Sequence, residues 1–289
     1  MTARDEGFPE AFTGRTRVSF LIGSPISQVL APGRMTELMR REGYDGILVP
    51  LEVTPASFEA VVPALRLAPN VDAILVTLPH KVRSASLCDR LSTAATMLGA
   101  VNATRRASDG AWEGDNFDGA GMLKAIETSG GVVAGARIHM VGAGAAATSI
   151  AVSLLAGGAE FLSFNDLSAE AEKRLQAVLE RHFPGRSAAA TAEDARHARI
   201  VVNASHCGLK ASDPVPVPVA ALNENQLVAD VITDPLHTPL LRAANEKGCR
   251  IVTGGDMLDG QLRLLFDFIR GGSSLIRDSN RPAVHPEHA

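Results

Sequence analysis

Short apolar runs alternate with longer amphipathic stretches along the first hundred residues. Arg17-Val18-Ser19-Phe20-Leu21-Ile22-Gly23 opens residues 17–26, which predict a strand and a glycine turn. A helix is expected from about Pro32 to Glu42, a strand over Gly46 to Pro50 and a helix over Pro55 to Leu67. Val71 to Thr77 predicts a third strand, ending in Leu78-Pro79-His80-Lys81, with a helix from Lys81 to Leu91 after it. Strand and helix in alternation predict a parallel α/β sheet. Ala100 to Arg105 and Ala111 to Gly114 flank Ser108-Asp109-Gly110 and predict a hairpin. After a helix over Gly119 to Ser129 the alternation resumes. Strands are expected over residues 136–140, 161–166, 200–203, 227–231 and 251–254, and a helix over 145–155. A further helix begins at Pro239, and Asp256 to Arg270 closes the pattern. Alanine-rich Ser187 to Ala192 reads as a surface loop, and the polar tail past Gly271 is expected to fray.

The junction between the first strand and helix of the second half carries chemistry. It reads Val141-Gly142-Ala143-Gly144-Ala145-Ala146-Ala147, and the next apolar run ends in Asp166. Gly142 permits a tight turn, Gly144 lets a pyrophosphate approach the backbone, and Ala147 takes the helix-packing position. The phosphates would sit on N–H groups at the helix start. Asp166 lies 24 residues after Gly142, close to the roughly 20-residue spacing of a ribose-binding acid. A carboxylate there accepts from both ribose hydroxyls and repels a 2′-phosphate. Leu167-Ser168-Ala169-Glu170 brings no cation to hold that phosphate. NAD is therefore the expected cofactor, ahead of NADP. The competing reading makes Asp166 the N-cap of a helix over Ser168 to Leu179.

A chain of 289 residues accommodates two domains. Hydrophobic residues make up 46% and the net charge is −4, which points away from nucleic acid as a partner. No apolar stretch is long enough for a membrane span. Met1 to Gly14 is polar and acidic and does not read as a signal peptide. Cys88, Cys207 and Cys249 are widely spaced and read as reduced thiols of a cytoplasmic protein. The His residues show no metal-ligand spacing, so no metal is expected, and His80 reads as a loop residue.

Oxidising an alcohol with NAD requires a basic group at the hydroxyl. Lys81 follows a strand end, where α/β folds place ligands. Asp118 stands in Gly114-Asp115-Asn116-Phe117-Asp118-Gly119 and Asn102 in Gly99-Ala100-Val101-Asn102. A lysine beside a carboxylate can relay a proton. Taken singly, Lys81 also fits a solvated helix start, Asp118 an N-cap and Asn102 a turn.

Together these segments resemble the shikimate dehydrogenase family. The resemblance is carried by Gly23-Ser24-Pro25-Ile26, Val76-Thr77-Leu78-Pro79-His80-Lys81, Gly99 to Asn102, Gly114 to Gly119, Gly142 to Ala146, Asp230-Val231-Ile232 with Thr238-Pro239-Leu240-Leu241, and Met257-Leu258 with Gln261. Their order and spacing hold from about residue 17 to 270. The resemblance implies a two-domain α/β fold: a parallel-sheet substrate domain of residues 1–118 with 249–289, and an NAD(P)-binding Rossmann domain of residues 119–248. The family's active site lies in the cleft between them. The resemblance makes Lys81 and Asp118 the catalytic pair, with Lys81 as general acid/base or as the group polarising the carbonyl, and Asp118 holding Lys81 and hydrogen-bonding a neighbouring hydroxyl. Thr77, Asn102 and Gln261 would bind substrate hydroxyls. Gly142, Gly144, Ala145, Ala146, Asp166 and Ala204 would bind the cofactor, with Val231, Gly254 and Met257 toward its nicotinamide end. A small-molecule substrate and a monomer or homodimer are expected.

The chain departs from the family at its substrate loop. The family reads His-Ser-x-Ser-Pro there, and its serines grip the substrate carboxylate; this chain reads Gln28-Val29-Leu30-Ala31-Pro32. Leu75, Ala103, Phe117 and Thr233 stand where the family has Asn, Thr, Thr and Tyr. Losing a hydrogen bond to a charged group costs about 1.5–3 kcal/mol, so two losses weaken carboxylate binding by orders of magnitude. The expected substrate is a cyclic hydroxy or keto compound held differently, with shikimate and quinate poor, unless Gln28 rebuilds the grip. A catalytically silent or regulatory NAD-binding homologue is the alternative. A related dehydrogenase acting on a folate or amino-acid substrate ranks third.

Overall fold

The computed structural model describes residues 12–27, 29–210 and 212–272. Most of the acidic amino-terminal stretch, Gln28 and the tail expected to fray lie outside the described residues. In chain order the elements are β1 (Arg17–Gly23), α1 (Ala31–Arg41), β2 (Gly46–Glu52), α2 (Phe58–Leu67), β3 (Val71–Val76), α3 (Lys81–Ala85), β4 (Arg90–Leu91), α4 (Thr93–Leu98), β5 (Ala103–Arg106), β6 (Trp112–Asp115) and α5 (Asp118–Thr128). There follow β7 (Arg137–Val141), α6 (Ala145–Ala156), β8 (Phe161–Asn165), α7 (Ala169–His182), β9 (Ser187–Ala189), β10 (Ile200–Asn203), β11 (Leu227–Asp230), α8 (Pro239–Glu246), β12 (Arg250–Val252) and α9 (Gly254–Ile269). Short 3₁₀ turns over Ala192–His197 and Val219–Ala221 complete the chain.

The residues divide into two compact units. The first takes the chain up to Leu91, then Gly99–Asp115 and Leu262–Gly272; the second takes Ser92–Leu98 and Asn116–Gln261. The first unit holds a sheet in the order β2-β1-β3-β5-β6-β4. Its β2, β1 and β3 are parallel, and β5 runs antiparallel to β3 and to β6. Ile22, Val62, Ile74 and Val76 bury against Phe58 and Trp112. The end of α9 is tied into the same unit. Tyr44 meets Phe266 edge to face at 5.9 Å. Arg105 Nη1 donates to Phe268 O at 2.9 Å, and Arg263 pairs with Glu42 at 2.7 Å.

Two elements here differ from the expected pattern. The helix expected to run from Lys81 to Leu91 stops at Ala85. Beyond it Asp89 N donates to Trp112 O and Trp112 N to Asp89 Oδ2, which turns Arg90–Leu91 into a strand beside β6. Helix α4 has no counterpart in the expected pattern. It is a single short turn-and-a-half, and its Met97 and Leu98 pack on the core of the second unit.

The second unit is built on a sheet in the order β12-β11-β10-β7-β8-β9, parallel throughout. Numbered from β7, this is the 3-2-1-4-5-6 order of the dinucleotide-binding fold. Ile138, Met140, Leu162 and Phe164 bury one face against Met122 and Ile126 of α5, Ile150 and Leu154 of α6, and Leu175 of α7. Val141, Val201 and Val228 bury the other against Leu240 and Leu241 of α8. Because α6 is packed on several sides, it is apolar nearly all round and shows little amphipathic signal. Ser187 to Ala192 is not wholly a loop: Ser187–Ala189 pairs with β8 as an edge strand. Its small side chains carry no strand propensity; the ladder bonds Leu162 N to Arg186 O and Ala190 N to Phe164 O hold it.

Wholly buried within β7, His139 has its ring nitrogens 3.0 Å from Ser163 Oγ and Asn165 Oδ1. Burial pushes its pKa down, against smaller upward effects of the Asn165 bond and Asp194. A folded-state imidazole less basic than the unfolded one favours folding above the unfolded pKa of about 6.5. That contribution is lost as pH falls below this value. His139→Gln is therefore expected to lose less stability than the parent between pH 7.5 and 5.5, read as paired urea midpoints. An equal loss in both proteins would refute the assignment.

Candidate active site

In the first unit the expected substrate residues gather at one sheet edge. Strands β1 and β3 end there, and β5 begins there because it runs the other way. Val76 N donates to Asn102 O at 2.7 Å, Thr77 N to Ile22 O at 2.9 Å, and Val101 N to Lys81 O at 2.9 Å. Thr77, Lys81 and Asn102 are thus pinned to one another through the backbone. Gly23 is obligatory beside them, since a Cβ would lie 2.3 Å from Thr77 Cγ2 and 3.0 Å from Leu78 O. Lys81 opens α3. The residue before it, His80, is buried: its Nε2 lies 2.6 Å from Val53 O and its ring packs on Phe58 at 4.8 Å. It anchors the loop carrying Lys81, and no group able to hold a metal occurs among the described residues.

In the second unit the expected cofactor residues fall at the carboxyl ends of its parallel strands, where open α/β sheets bind ligands. Gly142 follows β7 with φ +108°, and a Cβ on it would lie 2.8 Å from the Ala204 oxygen beyond β10. Gly144 is the N-cap of α6, which has no side-chain cap hydrogen bond, and a Cβ added to Gly144 would meet nothing within 4 Å. Val231 follows β11; a Cβ on Gly254 would come within 2.6 Å of its oxygen. Met257 lies one turn further along α9.

Asp166 follows β8, and its Oδ2 accepts from Ala143 N in the glycine loop at 2.7 Å. The N-cap of α7 is Ser168, whose side chain accepts from Ala171 N, so Asp166 does not cap that helix. Beneath Val231 lies a feature the sequence reading left without a role. Buried Asp230 accepts from Ile232 N, Asn203 Nδ2 and Thr238 Oγ1 at 2.8–3.1 Å, and burial raises its pKa. It braces the segment from Val231 to Thr238.

Asp118 is the first residue of α5, and Phe117 occupies the N-cap position. The carboxylate is not spent on capping: Oδ1 accepts from Gln261 Nε2 of α9 at 2.8 Å. Asp118 N donates to Asn116 Oδ1 at 3.2 Å, Ser149 Oγ donates to the same oxygen at 3.0 Å, and Gly119 N donates to Ser149 Oγ at 2.8 Å. Asn116 entered the sequence pattern only as part of the Gly114–Gly119 segment, without a role, and Ser149 did not stand out; a serine inside an apolar helix was its only signal.

Three of the departures from the family pattern are packed into the core, while Thr233 and Leu30 are exposed. Leu75, Ala103 and Phe117 are each at most 3% exposed. Val29 and Ala31 are half-buried and bring no hydroxyl.

Comparison with known proteins identifies the family. Residues 21–104 match the substrate-binding domain of shikimate dehydrogenase. The NADP-dependent shikimate dehydrogenase of Rubrobacter xylanophilus is 37% identical over 252 residues, covering 85% of this chain and 87% of its own. The shikimate 5-dehydrogenase of Listeria monocytogenes, solved with shikimate and NAD, superposes with a TM-score of 0.84 at 26% identity over 93% of this chain and 96% of its own. The quinate dehydrogenase of Corynebacterium glutamicum, solved with NAD, gives 0.79 at 26% identity over 89% and 94%. No helix among the described residues is long and apolar enough to cross a membrane. The chain belongs to the shikimate dehydrogenase family and is an NAD(P)-dependent oxidoreductase acting on CH–OH groups.

Proposed function

We propose that this protein is an NAD-preferring dehydrogenase for a cyclic hydroxy or keto compound, and that shikimate and quinate are poor substrates. One observation carries the reading. The sheet edge with Thr77, Lys81 and Asn102 and the Asp118–Gln261 pair are retained, while the carboxylate-binding positions hold Val29 and Ala31. Lys81 exchanges the hydroxyl proton with the substrate; Thr77, Asn102, Asp118 and Gln261 hydrogen-bond its oxygens. Two lost donors to a carboxylate weaken its binding by about two orders of magnitude or more.

The glycine cradle and uncapped start of α6 fit a dinucleotide pyrophosphate. Gly142, Gly144, Ala145, Ala146 and Ala204 would hold it, with Val231, Gly254 and Met257 toward the nicotinamide, which supplies or accepts the hydride. Three features favour NAD. Asp166 stands at the ribose position, α6 contains no charged side chain, and residues 167–170 contain no cation. The NADP dependence of the Rubrobacter relative weighs against this preference; the NAD in the Listeria and Corynebacterium structures is in keeping with it.

Reduced-nicotinamide absorbance with shikimate, quinate and uncharged cyclic alcohols, each with NAD and NADP, tests both parts. NAD is expected to exceed NADP in kcat/KM by about tenfold or more. Asp166→Ala is expected to lose about 10- to 100-fold with NAD and not with NADP. Efficient turnover of shikimate or quinate would refute the substrate shift, and a preference for NADP the cofactor assignment. Cofactor binding without turnover of any compound would favour a catalytically silent homologue.

A further inference from the structure

We infer that Ser149, with Asn116, is a positioning residue for the carboxylate of Asp118. The inference rests on the reading of Asp118 as a catalytic residue. Ser149 lies on α6, one turn beyond the helix start that faces the pyrophosphate position. Its hydroxyl accepts from Gly119 N and donates to Asn116 Oδ1, and that same oxygen accepts from Asp118 N. Serine inside a helix commonly bonds back to its own preceding turn; this one reaches across to α5 instead. Ser149 is 2% and Asn116 5% exposed, so water does not replace these bonds.

The backbones reinforce them. A Cβ on Gly119 would lie 1.9 Å from Ser149 O, and one on Gly121 would lie 2.8 Å from Gln261 Cβ. Helix α5 is therefore pressed against α6 on one side and α9 on the other, with Asp118 at its tip. Ser149 sets the backbone of Asp118, and Gln261 sets its carboxylate. The helix that receives the cofactor phosphates is thereby the helix that aims the carboxylate. A reactive group displaced by about 1 Å loses up to about 10²-fold in rate, so the positioning bond acts on the chemical step and not on cofactor affinity.

The test compares Ser149→Ala with Ser153→Ala, the next buried serine along α6, in the full chain loaded with NAD. Amide exchange across residues 116–121 is expected to be about tenfold faster in S149A than in the parent, and within about twofold of the parent in S153A. With shikimate as the probe alcohol, kcat is expected to fall about tenfold or more in S149A alone, the KM for NAD staying within about twofold. If S149A matches S153A in exchange, the positioning role is overturned, whatever the rate on shikimate. Asp118→Asn separates the two readings: full turnover in D118N removes the catalytic assignment, and the exchange comparison still reports on the bond.

Discussion

Replacing Lys81 by Met lowers kcat by about 10²- to 10⁴-fold, the range of a lost general acid/base, and leaves the Kd for NAD within about twofold. Methionine keeps the length and apolar stem of lysine but neither gives nor takes a proton. The fold should tolerate it, because Lys81 contributes its main-chain oxygen, not its side chain, to the bond from Val101 N. Burial of His80 against Phe58 and Val53 holds the loop independently of the side chain. Cofactor affinity should not follow the rate, since the expected dinucleotide residues lie in the second unit and Lys81 in the first. The measurement is kcat on whichever alcohol the panel identifies, beside NAD titration by calorimetry. A rate within threefold of the parent would remove Lys81 from the reaction. A parallel loss of NAD binding would reassign it to the cofactor.

Gly119→Ala gives the largest loss of stability expected of any single added methyl in the second unit. The new Cβ would sit 1.9 Å from Ser149 O and 2.4 Å from its carbonyl carbon, and neither belongs to a side chain that could swing away. Helices α5 and α6 must separate, undoing part of the packing of Met122 and Ile126 against Ile150 and Leu154. Overpacking costs about 1–3 kcal/mol where neighbours adjust, and backbone-on-backbone contact belongs at the upper end. At about 2–4 °C per kcal/mol for this size, the melting temperature should fall by roughly 6–12 °C. Calorimetry on the two proteins decides it. Gly144→Ala is the contrast, because nothing lies within 4 Å of its added carbon; a similar drop in both would mean that helix contact is not the cause.

Much of this organisation was legible in the residues. The glycine turn, the apolar run to Asp166 and the regular alternation of strands announced the second unit, because each is a local property of a few neighbouring side chains. Thr77, Lys81 and Asn102 each stand just past or just before an extended apolar run, but their roles came from the resemblance, since taken singly Lys81 also fits a helix start and Asn102 a turn. What escaped notice is what tertiary contact creates. Helix α3 looks continuous to Leu91 until Asp89 is drawn to Trp112. Ser187–Ala189 has no strand composition and is a strand only because β8 offers it a ladder. Ser149 resembles any small residue in a buried helix. Its two hydrogen bonds go to Asn116 and Gly119, some thirty positions away in the chain, a separation at which no periodicity carries information. Asp166 shows the opposite case: its competing capping role disappeared once Ser168 took the cap and the carboxylate turned to Ala143.

The division of the chain has a consequence for its synthesis. The first unit opens the sequence, yet its last contributors, Leu262–Gly272, come from nearly the far end. Phe266 against Tyr44, Arg263 against Glu42 and Phe268 O against Arg105 all wait for them. Nascent domains generally fold in the order in which they leave the ribosome, at about 5–20 residues per second. Here the amino-terminal unit is finished last, after every residue of Asn116–Gln261 has already been made. A chain stalled just past Gln261 thus carries both complete sheets, with the first unit still lacking Leu262–Gly272.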